Sequence, residues 1–254
     1  MNRAALRAYA DLNDHLAPDL RQTTFAHDFH GRPSVKDLIE SVGIPHPEVD
    51  WILINGRPAR FGQGVVDGDR ISVYPRFRGL DLPDGAGLLP RIPRPTRFIL
   101  DVHLGQLARY LRMLGFDCLY SVKATDPGLA AASNQGGRIL LTRDRELLKR
   151  NDVSLGAFVR ATEPRRQLRE TVRRWQLAGD AAPLTRCIAC NGRLERATME
   201  QVGNRVPANV RSRGGPLLRC HACGRVYWHG SHVDNMQELV DWALTEERHP
   251  GAGR

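Results

Sequence analysis

The sequence has no long apolar run. None of its 254 residues belongs to a stretch approaching the roughly 20 apolar residues that cross a bilayer as a helix, which excludes a helical membrane span. The opening "MNRAALRAYADLND" lacks the apolar core of a secretory signal. There is no internal repeat. Cysteines number only five, and a chain without a secretory signal is not expected to lean on disulfides. These absences point to a soluble, cytoplasmic protein. What is present, an apolar content of 41%, fills the cores of two or three domains at this length.

Acidic charge is scarce in one part of the chain only. The net charge is +9, yet residues 1–80 hold ten Lys/Arg and ten Asp/Glu and are neutral. Residues 138–225 hold nineteen basic and eight acidic residues. A localised basic surface is the footprint of a polyanion partner, although an Arg-rich surface also serves solubility.

Prolines and glycines concentrate in "GLDLPDGAGLLPRIPRPTR" (79–97), which sustains neither helix nor central strand. The stretch reads as a linker. Before it, "SVKDLIESVGI" reads as a helix capped by Ser34 and stopped at Gly43. "EVDWILINGRPARF" reads as a strand turning at Asn55-Gly56. "VVDGDRISVYPRF" turns at Asp67–Asp69 into an alternating strand through Ile71, Val73 and Phe77. With two early strands, this pattern is an α+β grasp of a helix by a sheet. It resembles the ubiquitin-like β-grasp family, in particular the small sulfur carriers. Those carriers end in a free Gly-Gly, whereas here the strand runs on through "PRFRGL". Sulfur carriage is therefore not expected, and the domain reads as a docking or stabilising module with a possible protein partner.

Beyond the linker, strands and helices alternate: "RFIL", a helix with Leu104, Leu107, Leu111 and Leu114 on one face and Gly115 as its stop, "FDCLYS", a helix opened by Asp126-Pro127, "RILLT", the short helix of "RDRELLKR", "GAFVRA", and a basic helix "TEPRRQLRETVRRWQLA" capped by Thr162. Such alternation implies a parallel sheet flanked by helices. Asp101 and Asp144 each follow the carboxyl end of an expected strand, the edge where ligands bind in open α/β sheets. Asp126 lies at a helix start after the intervening strand. Convergent carboxylates repel unless a cation sits among them, and hard oxygen ligands suit Mg²⁺ or Mn²⁺. Such an ion lowers the pKa of a bound water and neutralises charge on a phosphodiester. Arg109 and Arg112 are expected on the solvent side of the first helix, near that edge. With Arg143 and Arg145 they form the expected RNA-backbone contacts. The alternative stays open that Asp126 and Asp144 are helix caps.

Cys187-x-x-Cys190 and Cys220-x-x-Cys223 are separated by 29 residues. Two such knuckles predict a tetrahedral four-cysteine zinc site, structural because no coordination position is left open. Redox-active pairs are the alternative. Cys118 is expected as a small buried hydrophobe. His229 and His232 in "YWHGSH", with Tyr227 and Trp228, are candidates for RNA contact. Core packing of the two aromatics is the competing expectation.

"RFILDVHLGQLARYLRMLGFDCLYS", "ATDPGLAAAS", "RILLTRDREL" and "CIAC…VP…CHACGRVYWHGSHVDNM" together resemble the Mut-7 C-terminal RNase family, a branch of the PIN-like nucleases that carries a zinc ribbon and is known fused behind a β-grasp domain. The resemblance covers nearly the whole chain. It implies an α/β architecture: a ubiquitin-like β-grasp domain (1–80), a linker (81–96), a PIN-like nuclease core (97–180), and a zinc ribbon with a C-terminal helix (181–254). It also implies a metal-dependent endoribonuclease with Asp101, Asp126 and Asp144 as its acids, leaving a 5′-phosphate and a 3′-hydroxyl. Many PIN nucleases have a further Glu, and no clear counterpart stands between Gly105 and Tyr120. The alternative is an RNA-, tRNA- or ribosome-binding factor with a weak or silent nuclease site.

Overall fold

The computed structural model describes residues 1–77, 87–228 and 231–245, with residues 204, 213 and 231–237 described in backbone only. Residues 81–86 of the expected linker lie outside the described residues. In chain order the elements are β1 (Asn2–Ala8), β2 (Phe25–Phe29), α1 (Val35–Ser41), β3 (Trp51–Ile54), β4 (Arg57–Pro58), β5 (Arg70–Tyr74), β6 (Arg97–Leu100), α2 (Gly105–Met113), β7 (Asp117–Tyr120) and α3 (Asp126–Gly136). There follow β8 (Ile139–Thr142), α4 (Arg145–Lys149), β9 (Gly156–Phe158), α5 (Pro164–Arg174), β10 (Leu194–Ala197), α6 (Met199–Val202), α7 (Ala208–Arg213), β11 (Leu217–Cys220), β12 (Val226–Trp228) and α8 (Ser231–Leu244). Among the described residues no helix is long and apolar enough to cross a membrane. Two compact units are formed, Met1–Pro93 with Thr125–Phe158, and Arg94–Ala124 with Val159–Arg254.

In the first unit a five-stranded sheet runs β2-β1-β5-β3-β4. β1 and β5 are parallel, and the other pairings are antiparallel. Period-two alternation puts Leu6, Ile52, Ile71 and Val73 on one face, where they bury against Val35, Leu38 and Ile39 of α1. Burying each large side chain contributes about 1.5–3 kcal/mol. Ser34 and Asp37 close a capping box at the start of α1. Asn55 and Gly56, at φ 52° and 78°, make the two-residue turn between β3 and β4. The expected β-grasp is therefore present. The strand through Phe77 is shorter than expected: β5 ends at Tyr74, and the Phe77 ring lies 6.1 Å from that of Tyr74 and 6.2 Å from that of Trp51.

The same unit holds α3, β8, α4 and β9, with β8 and β9 parallel. Hydrogen bonds from His46 and Glu48 tie this segment to the grasp domain. Glu48 Oε2 lies 2.9 Å from His15 Nε2, and Glu48 Oε1 accepts the Phe158 N–H at 2.5 Å. His46 Nε2 donates to the Val153 carbonyl at 2.9 Å, while Nδ1 lies 2.6 Å from Glu40 Oε1.

In the second unit β6 and β7 are parallel, and α2 covers them with Leu104, Leu107, Leu111 and Leu114 fully buried. Gly115 stops α2 at φ +94°; a Cβ there would lie 2.1 Å from the Ala182 carbonyl oxygen, so only glycine fits. The cap of α5 is Glu163, not Thr162: its carboxylate accepts from Arg165 N and Arg166 N, each at 2.9 Å. Pro164 fixes the start, so the residue before it takes the cap position. Arg169 lies over the Trp242 ring of α8 at 4.3 Å. The interval between the two cysteine pairs folds into β10 and the short helices α6 and α7. The antiparallel sheet β10-β11-β12 packs there through Leu217 and Trp228 on Val202 and Val206.

Candidate metal centre and acidic residues

The first cysteine pair follows α5 in the chain, and the second sits at the turn from β11 to β12. The four sulfurs of Cys187, Cys190, Cys220 and Cys223 lie within 4.8 Å of one another. Cys187 and Cys223 are 3.7 Å apart, and Cys190 and Cys220 are 3.4 Å apart. Zinc–sulfur bonds of about 2.3 Å in a tetrahedron give sulfur–sulfur edges of about 3.8 Å. Soft ligands at this spacing could hold a metal such as zinc. Gly192 makes the approach possible: a Cβ there would lie 2.8 Å from the Cys220 sulfur.

The charge balance within the cluster is uneven. Burial pushes the Cys187 thiol up, but the Tyr227 hydroxyl at 3.1 Å and the amides of Cys190 and Ala189 outweigh it and bring the thiol to about 6. The Gly192 amide favours a Cys190 thiolate, yet burial and the neighbouring sulfurs push that thiol up to about 12. Four sulfurs this close cannot all ionise without a cation between them. Tyr227 thus supports a cysteine, and Trp228 packs on the Val202–Val206–Leu217 cluster.

Arg112 is corrected by the structure. It is buried rather than on the solvent side of α2. Its Nε donates to the Cys118 carbonyl at 2.9 Å, and Nη1 donates to the carbonyls of Ile188 and Ala189 at 3.2 and 3.0 Å. The leucine stripe flanks it, so the guanidinium turns inward to the backbone of the first knuckle. Asn191 supports the same place. It accepts from Cys118 N at 2.9 Å and donates to Asp117 at 2.8 Å. Neither role was legible from residue type. Cys118 is fully buried, as expected.

Each acid stands at a helix start. Asp101, buried directly after β6, accepts the His103 N–H at 2.8 Å. Asp144, exposed and two residues past β8, takes Glu146 N at 2.8 Å and Leu147 N at 3.4 Å, both on Oδ1. It is the cap of α4. Asp126 is not a cap: Thr125 caps α3, and Asp126 is its exposed first residue. Pro127 is second in that helix, and the Asp126 carboxylate is spent on no helix amide. Arg109 is exposed, while Arg143 and Arg145 lie half-buried over the Phe158 ring at 5.9 and 5.2 Å. His229 lies outside the described residues, and His232 is described only as backbone in α8.

Comparison with known proteins decides the family. Residues 96–240 match the Mut7-C RNAse domain. The chain belongs to the Mut7-C RNAse family. Residues 1–81 match the Mut7-C ubiquitin domain, in agreement with the β-grasp sheet. Two crystal structures are similar to part of the chain, both of small archaeal modifier protein 1 (SAMP1) from Haloferax volcanii. One covers 30% of this chain and 100% of its own, the other 31% and 99%, each at 20% identity and a TM-score of 0.25. No curated protein matches the chain. Membership of the Mut7-C RNAse family gives the chain a nuclease-type function with RNA as the substrate class.

Proposed function

We propose that the chain is a metal-dependent endoribonuclease in which Asp101, Asp126 and Asp144 supply the carboxylates for Mg²⁺ or Mn²⁺. The observation that carries this reading is the Mut7-C RNAse match over 96–240, which spans all three acids. Their chemistry fits a hard cation. The Asp126 carboxylate is not used in capping, and Asp144 spends only Oδ1 on its helix. A bound ion would supply an activated water and offset charge on the scissile phosphate. The exposed arginines of α2 and α5 would hold the RNA backbone. In this reading the α/β elements form a PIN-like core, the cysteine sheet is a zinc ribbon with structural zinc, and the protein acts in the cytoplasm.

A second reading has its own support. Asp101 and Asp144 already serve as caps, and no further Glu stands between Gly105 and Tyr120. The chain would then be an RNA-, tRNA- or ribosome-binding factor. In either reading the N-terminal domain stabilises its neighbours through Glu48 and His46 and offers a surface to a protein partner. One experiment separates the two. The 254-residue chain is incubated with total RNA in Mn²⁺, Mg²⁺ or EDTA, beside Asp144→Asn. Metal-dependent cleavage that leaves 5′-phosphates and is lost in the variant supports the nuclease. Binding without cleavage in either metal supports the factor.

A further inference from the structure

We infer that Arg112 and Asn191 are positioning residues that couple the cysteine centre to β7 and, through it, to the end of β6 that carries Asp101. The inference rests on the cysteines holding a metal. Its catalytic consequence rests on the proposed nuclease reading.

Charge is the first argument. Arg112 is a buried cation whose hydrogen-bond partners are the carbonyls of Cys118, Ile188 and Ala189, with no carboxylate among them. A buried cation held only by neutral carbonyls is costly. A divalent ion in four thiolates, however, carries two net negative charges, and Arg112 grips the two residues between its first pair of ligands. The metal-loaded centre supplies the missing counter-charge, and metal loss would remove it.

The second argument is geometric. β7 pairs with β6, with Cys118 opposite Phe98. Two backbone groups of Cys118 lead to the knuckle: its N–H donates to Asn191 Oδ1 directly, and its carbonyl accepts from Nε of Arg112 in α2, whose Nη1 donates to the knuckle carbonyls, the first two bonds both at 2.9 Å. The knuckle thus does for β7 what a further strand would do. Asn191 holds φ 70° and donates to Asp117 as well. At the other end of β7 the Tyr120 hydroxyl donates to the Val102 carbonyl at 3.1 Å, one residue beyond Asp101. A knuckle that loosens therefore loosens β7 at both backbone groups of Cys118 and releases the neighbour of Asp101.

Linkage makes the coupling reciprocal: if metal orders β7, the residues that tie β7 to the knuckle must strengthen metal binding. The test uses the whole 254-residue chain, reduced, and zinc alone as the probe. Two variants are compared. Arg112→Lys keeps the charge and loses the fork. Asn191→Gly keeps the positive φ and loses the amide. Zinc affinity, read by competition with a chromogenic chelator, should fall about tenfold or more in each, the range for residues that support metal ligands. Stripping zinc from the wild type should speed hydrogen exchange of the Cys118 amide at least about tenfold. Unchanged zinc affinity in both variants overturns the coupling. So does a Cys118 amide that stays protected while the Asn191 and Gly224 amides of the knuckles open. Protein that takes up no zinc overturns it together with the metal reading of the cysteines. Neither readout uses RNA cleavage, so a catalytically silent protein leaves the test intact.

Discussion

Asp144 accepts two amide hydrogens, from Glu146 at 2.8 Å and Leu147 at 3.4 Å, on the single oxygen Oδ1. That division of labour lets one residue answer for two readings. Asn caps a helix about as well as Asp, so Asp144→Asn should leave thermal stability nearly unchanged. Asp144→Ala should cost about 1 kcal/mol. In the nuclease reading both variants should lose cleavage by about 100-fold or more, the scale for removing a group that stabilises charge at the reacting centre. Melting curves and cleavage rates on the same preparations check this, and cleavage that persists in Asp144→Asn would leave Asp144 as a cap alone.

Elemental analysis of freshly purified, reduced protein should find about one zinc per chain. Cys220→Ser should remove it and lower the melting temperature, because metal binding here is folding free energy. Cys118→Ala is the control: that cysteine is buried outside the cluster, and its loss should leave the zinc content unchanged.

RNA binding should depend steeply on salt. Arg165, Arg166 and Arg173 are exposed on α5. If each meets one phosphate, replacing all three by Ala should lower the slope of log affinity against log salt by about 2 for single-stranded RNA. Fluorescence anisotropy over a salt series measures the slope, and an identical slope in the triple variant would rule out α5 as the phosphate-binding element.

Glu48 is buried between His15 and the Phe158 amide. Glu48→Ala leaves both groups without that acceptor and should destabilise the chain by about 3–5 kcal/mol. Urea denaturation gives the number; a loss under 1 kcal/mol would mean that water replaces the carboxylate freely.

Much of the architecture was legible because it follows from local rules. Ser34 and Gly43 bracket α1, Asn55-Gly56 turns β3 into β4, and the leucine stripe of α2 is buried as its spacing predicts. The cysteine knuckles were legible because metal ligation ties residue type to spacing. What was not legible depends on partners distant in sequence. Nothing near Arg112 announces that two of its three acceptors lie more than 70 residues away. Thr162 and Asp126 looked like caps by type, but Pro164 at the first helical position put the cap of α5 on Glu163, and the Thr125 hydroxyl, which accepts the Gly128 amide, caps α3 one residue before Asp126. The helices α6 and α7 between the cysteine pairs have too little periodicity to stand out at their lengths of 4 and 6 residues.

The Glu48–Phe158 hydrogen bond has a consequence for descent. The two family matches meet between residues 81 and 96, as if a ubiquitin-like gene had been joined to a nuclease gene. The hydrogen bonds cross that seam, since Glu48 holds Phe158 and His46 holds Val153. A lineage that lost the front domain would have to find other partners for a β9 amide and a Val153 carbonyl. Because both partners are main-chain groups, the residue types at 153 and 158 are free to change while Glu48 and His46 are not, so the demand for these hydrogen bonds falls on the front domain alone.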